Sequence, residues 1–112
     1  MKRYSRHIRQ QLRKLALFVV EKELHRQLED LSTRFDGWKA GEMSSRELRH
    51  VLHAYVDGPS RELFRQHREV PADIFVADAV ARGVLAQEDV PDDVLEAIRH
   101  SVQFYHKVLE SA

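Results

Sequence analysis

The chain contains no cysteine in its 112 residues. Disulfides, thiolate nucleophiles and thiolate metal sites are excluded, so the fold must rest on its apolar core. Such a chain suits a reducing cytoplasm, the expected location. Long hydrophobic runs are also missing. The longest is "LALFVV", Leu15 to Val20, six residues against the roughly 20 that cross a bilayer. It is short for the core of a signal peptide, and "EKEL" follows it where small cleavage-site residues would stand. No membrane partner is expected. Net charge is missing too, with 18 basic and 18 acidic residues. There is no internal repeat, no low-complexity tract and no period-2 run that would make a strand.

Apolar residues make up 43% of the chain, enough for a packed core and too many for a disordered one. The length fits one domain, residues 1–112. The pattern predicts an all-α fold, an irregular bundle of about five helices with a long N-terminal helix. The first is expected over roughly Tyr4 to Phe35, and the second over Ser45 to Val56. Ser44 is the expected N-cap of the second, with Glu47 completing a capping box. A "DGP" turn should separate it from a short third helix, Ser60 to Arg68. The fourth should run from Pro71 to a stop at Gly83. The fifth should run from Pro91 to Leu109, with Asp92 and Asp93 at its positive end.

Charge is unevenly placed. Lys2, Arg3, Arg6, Arg9, Arg13 and Lys14 face no acid within the first 20 residues, and the remainder carries 12 basic against 18 acidic residues. A basic end and an acidic body can dock, within one chain or between two.

The first helix carries two apolar stripes. At about 100° per residue, Leu17, Val20, Leu24, Leu28, Leu31, Phe35 and Trp38 share one stripe about 80° wide. Ile8, Leu12, Leu15 and Val19 form another on the opposite side. The stripes overlap only at "LALFVV", where the helix is apolar all round and is expected to be buried all round. Ile8, Leu12, Leu15 and Val19 are not covered by the C-terminal half of their own helix. Either the fourth or fifth helix covers them, or a second copy or another protein does. The second option makes them a candidate self-association seam.

Several stretches carry the punctuation of chemical sites. "DGWKAGEMSSRE", Asp36 to Glu47, has the length and glycine of an EF-hand loop, but Trp38 and Ala40 stand where oxygen ligands belong. No calcium is expected. "ELRH", Glu47 to His50, has the Glu-x-x-His spacing of di-iron bundles. Its two ligands point away from the face made by Leu48, Val51, Leu52 and Tyr55, so no metal and no cofactor is expected. Asp78, inside the nearly apolar "ADIFVADAVARG", needs a partner, and Arg82 at i+4 is available. "DGPSREL" places Ser60 and Arg61 at an expected helix start, where free amides could hold an anion. Lys2, Arg6, Arg9 and Arg13 on the first helix, with Arg46 and Arg49 on the second, are the other candidate anion or nucleic-acid contacts. No catalytic residue is assigned, because no nucleophile, base and oxyanion donor come together.

The stretches "FDGWKAGEMSSREL" and "DGPSRELF", with "ARGVL" at the end of the fourth helix, resemble a pattern seen in small all-helical bacterial proteins without an assigned activity. The resemblance implies a helical fold and a bacterial source, and brings no function with it. The residues lead to a non-enzymatic interaction protein that self-associates through its first helix. The alternative is a small nucleic-acid-binding or regulatory accessory protein using the basic N-terminal helix.

Overall fold

A computed structural model describes residues 3–111. The chain is all-α, an irregular bundle built on one long N-terminal helix. Helix α1 spans Arg6–Lys39. It is followed by α2 (Ser45–Tyr55), α3 (Arg61–Glu69), α4 (Ala72–Ala81), α5 (Asp92–Ala97) and α6 (Arg99–Glu110). At 1.5 Å per residue α1 is about 51 Å long, and it sets the longest dimension of the molecule, 53 Å. The radius of gyration is 17.3 Å, against about 13 Å for a compact chain of this length. The molecule is elongated because only half of α1 lies in the body.

Local chemistry fixes the ends. Ser5 caps α1, its Oγ accepting from the Ile8 N–H at 3.1 Å. Ser44 caps α2, its Oγ accepting from the Glu47 N–H at 3.1 Å. Gly41 and Gly83 have φ of +78° and +75°. Each closes a helix with paired reverse bonds: Glu42 N to Gly37 O with Gly41 N to Trp38 O, and Val84 N to Ala79 O with Gly83 N to Val80 O. Both are glycine-closed helix ends of the Schellman type. Helix α1 therefore runs a turn past Phe35, through Gly37 and Trp38. Asp36 to Lys39 are helical, so an extended calcium loop starting at Asp36 does not form.

The expected "DGP" turn does not break the chain either. Val56–Ser60 form a single π-helical turn that joins α2 to α3. Tyr55, Val56, Ser60 and Arg61 all have right-handed helical dihedrals. Pro59 has no N–H to give, and a wider turn tolerates that better than an α-turn. Gly58 is the second half of the solution. A proline disfavours helical dihedrals at the preceding residue, partly by a clash with its Cβ, and glycine has none. Alanine at an exposed helical glycine ordinarily adds up to about 1 kcal/mol. Here the sign should reverse: Gly58→Ala should lower stability by about 1 kcal/mol, or some 4–8 °C of melting temperature. In a Pro59→Ala background the same change should raise it. Thermal melts of the three variants check this.

The body is built around α4. Phe75, Val76, Ala77, Ala79 and Val80 of this helix are buried. They pack with Leu85, Val90, Val94, Ile98 and Val102 from the C-terminal segments, and with Leu63 of α3. Ile8, Leu12, Leu15, Ala16, Val19 and Val20 of α1 complete the core. The expected fifth helix is two segments, α5 and α6, hinged at the fully buried Ile98, whose dihedrals (φ −107°, ψ 10°) leave the α region.

This overturns the candidate seam. Ile8, Leu12, Leu15 and Val19 are core residues of a single chain, Leu12 at 2% and Val19 at 0% exposure. Helices α4 and α5 pack on this part of α1. The expectation for "LALFVV" also fails in part. Leu15, Ala16, Val19 and Val20 are buried, while Leu17 and Phe18 stay at the surface. Beyond Leu24, α1 leaves the body and pairs with the rod formed by α2, the π-turn and the start of α3, making a two-helix arm.

Candidate functional site

The arm is held along one seam. Leu48 of α2 is buried, and Val51, Leu52 and Tyr55 are half-buried, as are Leu24, Leu31 and Phe35 of α1. At the tip Trp38 Nε1 donates to Ser45 Oγ at 2.9 Å, and Phe35 meets Trp38 edge-on at 6.4 Å between centroids. Glu47 and His50 are exposed on the outer side. Among the described residues no three His, Asp or Glu side chains come together as a metal site.

Two helices cannot cover each other completely. Leu17 is 60% exposed, Leu28 48%, Val56 58% and Phe64 45%. Their directions agree. Counted at about 100° per residue, Leu17 and Leu28 lie some 40–60° past the inward-facing Leu31 on α1. Val56 lies about 80° past Leu48, and Phe64 about 100° past Leu63. Because the two rods run antiparallel, the same sense of rotation brings all four to one side. The arm and its root thus expose an apolar face spread over two helices. Phe104, Val108 and Leu109 are also exposed, but on the single helix α6.

The other side of the same helix pair is polar. Glu23 is 7% exposed. Its Oε1 accepts from Arg82 Nη1 at 2.9 Å, and its Oε2 pairs with Arg26 Nη2 at 3.1 Å. Arg82 Nε also donates to Asp78 Oδ2 at 2.9 Å, the i+4 pairing visible in the sequence. Burial works against the Arg82 charge, but its hydrogen bond to Glu23 and the charge of Asp78 outweigh this and raise its pKa. Hydrogen bonds from Arg65 hold the Glu62 carboxyl below its ordinary range. At the start of the body Tyr4 OH donates to Asp73 Oδ2 at 2.9 Å. Burial first, then that bond, push the phenol up to about 12.

The candidate basic contacts are not brought together. Lys2 lies outside the described residues. Arg6, Arg9 and Arg13 are exposed on one stripe of α1. Among the described residues no carboxylate lies within ion-pair distance of them; His7, not an arginine, meets Asp93 at 3.3 Å, and Glu96 pairs with Arg99. Arg46 and Arg49 stand near the arm tip, beside the Trp38–Ser45 bond. Trp38 is 25 residues beyond Arg13 on α1, or about 38 Å along its axis.

Ser60 and Arg61 need a clear correction. The helix start that would have offered free amides is the interior of a continuous helical rod. Ser60 makes no capping bond, and Arg61 pairs with Asp57 at 3.5 Å. That anion site does not exist in this fold.

The sequence did not reveal the Glu23–Arg82 pair, because 59 residues separate its members. Nor did it reveal the arm, which depends on where α4 stops covering α1. Among the described residues no helix is long and apolar enough to cross a membrane. No protein-family model, no curated protein and no solved structure matches the chain, so the resemblance of the "DGW" and "DGPSREL" stretches stays an expectation.

Proposed function

We propose that this chain is a non-enzymatic protein-interaction protein that self-associates through the apolar face of its two-helix arm. The carrying observation is that Leu17, Leu28, Val56 and Phe64, on two antiparallel helices, share one uncovered side. Two such arms packed face to face make a four-helix core, the usual closed solution for helical hairpins. A two-fold pairing needs only one self-complementary patch. From Leu17 to Phe35 the face is about 27 Å long. Two helices make it roughly 20 Å wide. Two copies would bury on the order of 1,000 Å², the threshold for a specific interface. Zero net charge does not oppose the encounter.

Sedimentation across a range of concentrations tests the reading. The wild type should reach a dimer at micromolar concentration. Leu28→Glu with Val56→Glu should give a folded monomer with an unchanged melting transition at low concentration, because neither residue belongs to the core. A wild type that stays monomeric at millimolar concentration ends the proposal.

A second reading has its own support. Arg6, Arg9 and Arg13 are aligned and meet no carboxylate among the described residues, and arginine suits bidentate phosphate contact. Three phosphates neutralised would give a slope of about −2.7 in log affinity against log salt. A monomeric wild type that binds duplex DNA with that slope would put this reading first.

A further inference from the structure

A groove runs between α1 and the start of α4. It consists of two adjoining hollows, of about 300 and 230 Å³, with Arg13 and Ala72 on the border of both. Together they reach the size of small-molecule sites. Arg9, Leu12, Arg13 and Ala16 recur at helical spacing, so one side of α1 supplies both charge and an apolar wall. Ala72 and Phe75 form the wall on α4. With only a methyl group each, Ala16 and Ala72 leave the groove open. His67, edge-on to Phe75 at 5.7 Å between centroids, borders the far hollow with Leu17. From Arg9 to Leu17 the groove follows about 12 Å of the α1 axis.

The charges of the near hollow are out of balance. Arg9 and Arg13 stand one turn apart on α1, exposed, with no carboxylate within ion-pair distance among the described residues. Like charges at that spacing destabilise a helix. Arg26, Arg61, Arg65, Arg82 and Arg99, by contrast, each have a carboxylate partner. Asp73 also borders the near hollow, but its Oδ2 already accepts the Tyr4 hydroxyl at 2.9 Å. Two guanidinium groups against one engaged carboxylate leave this end positive, next to a wall of hydrocarbon. A ligand that satisfies both has an anionic head and an apolar chain.

We propose that this groove binds a medium-chain aliphatic carboxylate, its head between Arg9 and Arg13 and its chain running past Ala72 and Ala16 towards Leu17 and Phe75. Guanidinium groups match a carboxylate in geometry as well as charge. An alkylammonium would meet two like charges. Duplex DNA could reach the arginines, but it would set its phosphates against an apolar wall. The site does not rest on arm pairing, although Leu17 borders both surfaces.

The test uses octanoate, below the concentration at which it forms micelles, with octylamine and acetate as controls for head and chain. Amide chemical shifts are followed on the full chain by NMR. Octanoate should give saturable shifts centred on Arg9 to Leu17, His67 and Ala72 to Phe75, and should raise the melting temperature. Octylamine and acetate should do neither. Arg9→Gln with Arg13→Gln, both at exposed positions, should weaken binding about tenfold or more. Ala72→Met should abolish it by filling the groove, with the helical circular dichroism unchanged. The Leu28→Glu, Val56→Glu protein keeps every lining residue and should bind octanoate as the wild type does, so failure of the arm pairing and failure of the groove are read separately. Equal binding of octylamine overturns the proposal. So do shifts centred on Leu28, Val56 and Phe64, undiminished binding by the folded double-glutamine protein, or no saturable binding of octanoate at millimolar concentration.

Discussion

Replacing Leu12 and Leu15 together by serine should abolish the cooperative unfolding transition. Leu12 is 2% exposed and Leu15 9%, and both belong to the cluster that α1 shares with α4, α5 and α6. Truncating a buried leucine costs about 2–5 kcal/mol. Each serine also buries a hydroxyl with no arranged partner, about another 1–3 kcal/mol if it stays unpaired. Two such losses total on the order of 6 kcal/mol or more, against a whole-domain stability of about 5–15 kcal/mol. Urea unfolding followed by circular dichroism should show a flat or strongly broadened curve. The seam reading predicts the opposite for the same protein: a folded chain of smaller assembly size. A sharp transition near the wild-type midpoint would mean that these leucines are not core, and the arrangement of α1 on α4 would have to be wrong.

The two outcomes diverge because of a real ambiguity in the sequence. A stripe of Ile8, Leu12, Leu15 and Val19 states that something covers it, but not what does. The cover comes from α4 and from α5, about 60 to 90 residues away along the chain, and no local pattern records that. The opposite stripe posed the converse problem. Leu24, Leu28, Leu31 and Phe35 read as ordinary core, yet α2 covers only one edge of it and Leu28 is left in solvent. Helix ends were more legible where the signal is a single residue's stereochemistry. Gly83 closes α4 because, lacking a Cβ, it tolerates a positive φ, and Ser44 opens α2 with its hydroxyl. "DGP" misled because Gly-Pro is turn punctuation in most settings. In a helix the same pair is tolerated when the turn widens, since glycine removes the Cβ clash and a π-turn absorbs the missing N–H. The Glu23–Arg82 contact was illegible for a further reason. It depends on Glu23, which in "EKEL" looks like one more solvated acid, meeting Arg82 across the fold.

That pair carries the second large effect. Arg82→Leu would leave Glu23 at 7% exposure with only Arg26, itself 68% exposed, to balance it. Breaking a buried ion pair by removing one partner costs about 3–5 kcal/mol. Arg82 is 34% exposed along its side chain, and Arg26 remains, so the expected loss is smaller, about 2–3 kcal/mol, or some 10 °C or more of melting temperature. Asp78 also loses its partner, but at 37% side-chain exposure it can turn to water. The decisive measurement is the double variant. Glu23→Leu combined with Arg82→Leu removes both charges from a site already bordered by Leu63 and Phe75, and replacing a whole buried pair by apolar groups is often neutral or stabilising. The double variant should therefore recover most of the stability lost in Arg82→Leu alone, giving a coupling of about 2 kcal/mol across 59 residues of sequence. If the two losses simply add, the carboxylate and guanidinium do not act on each other, and the contact between α1 and α4 rests on the apolar core alone. Urea melts of the four proteins at one pH separate these cases.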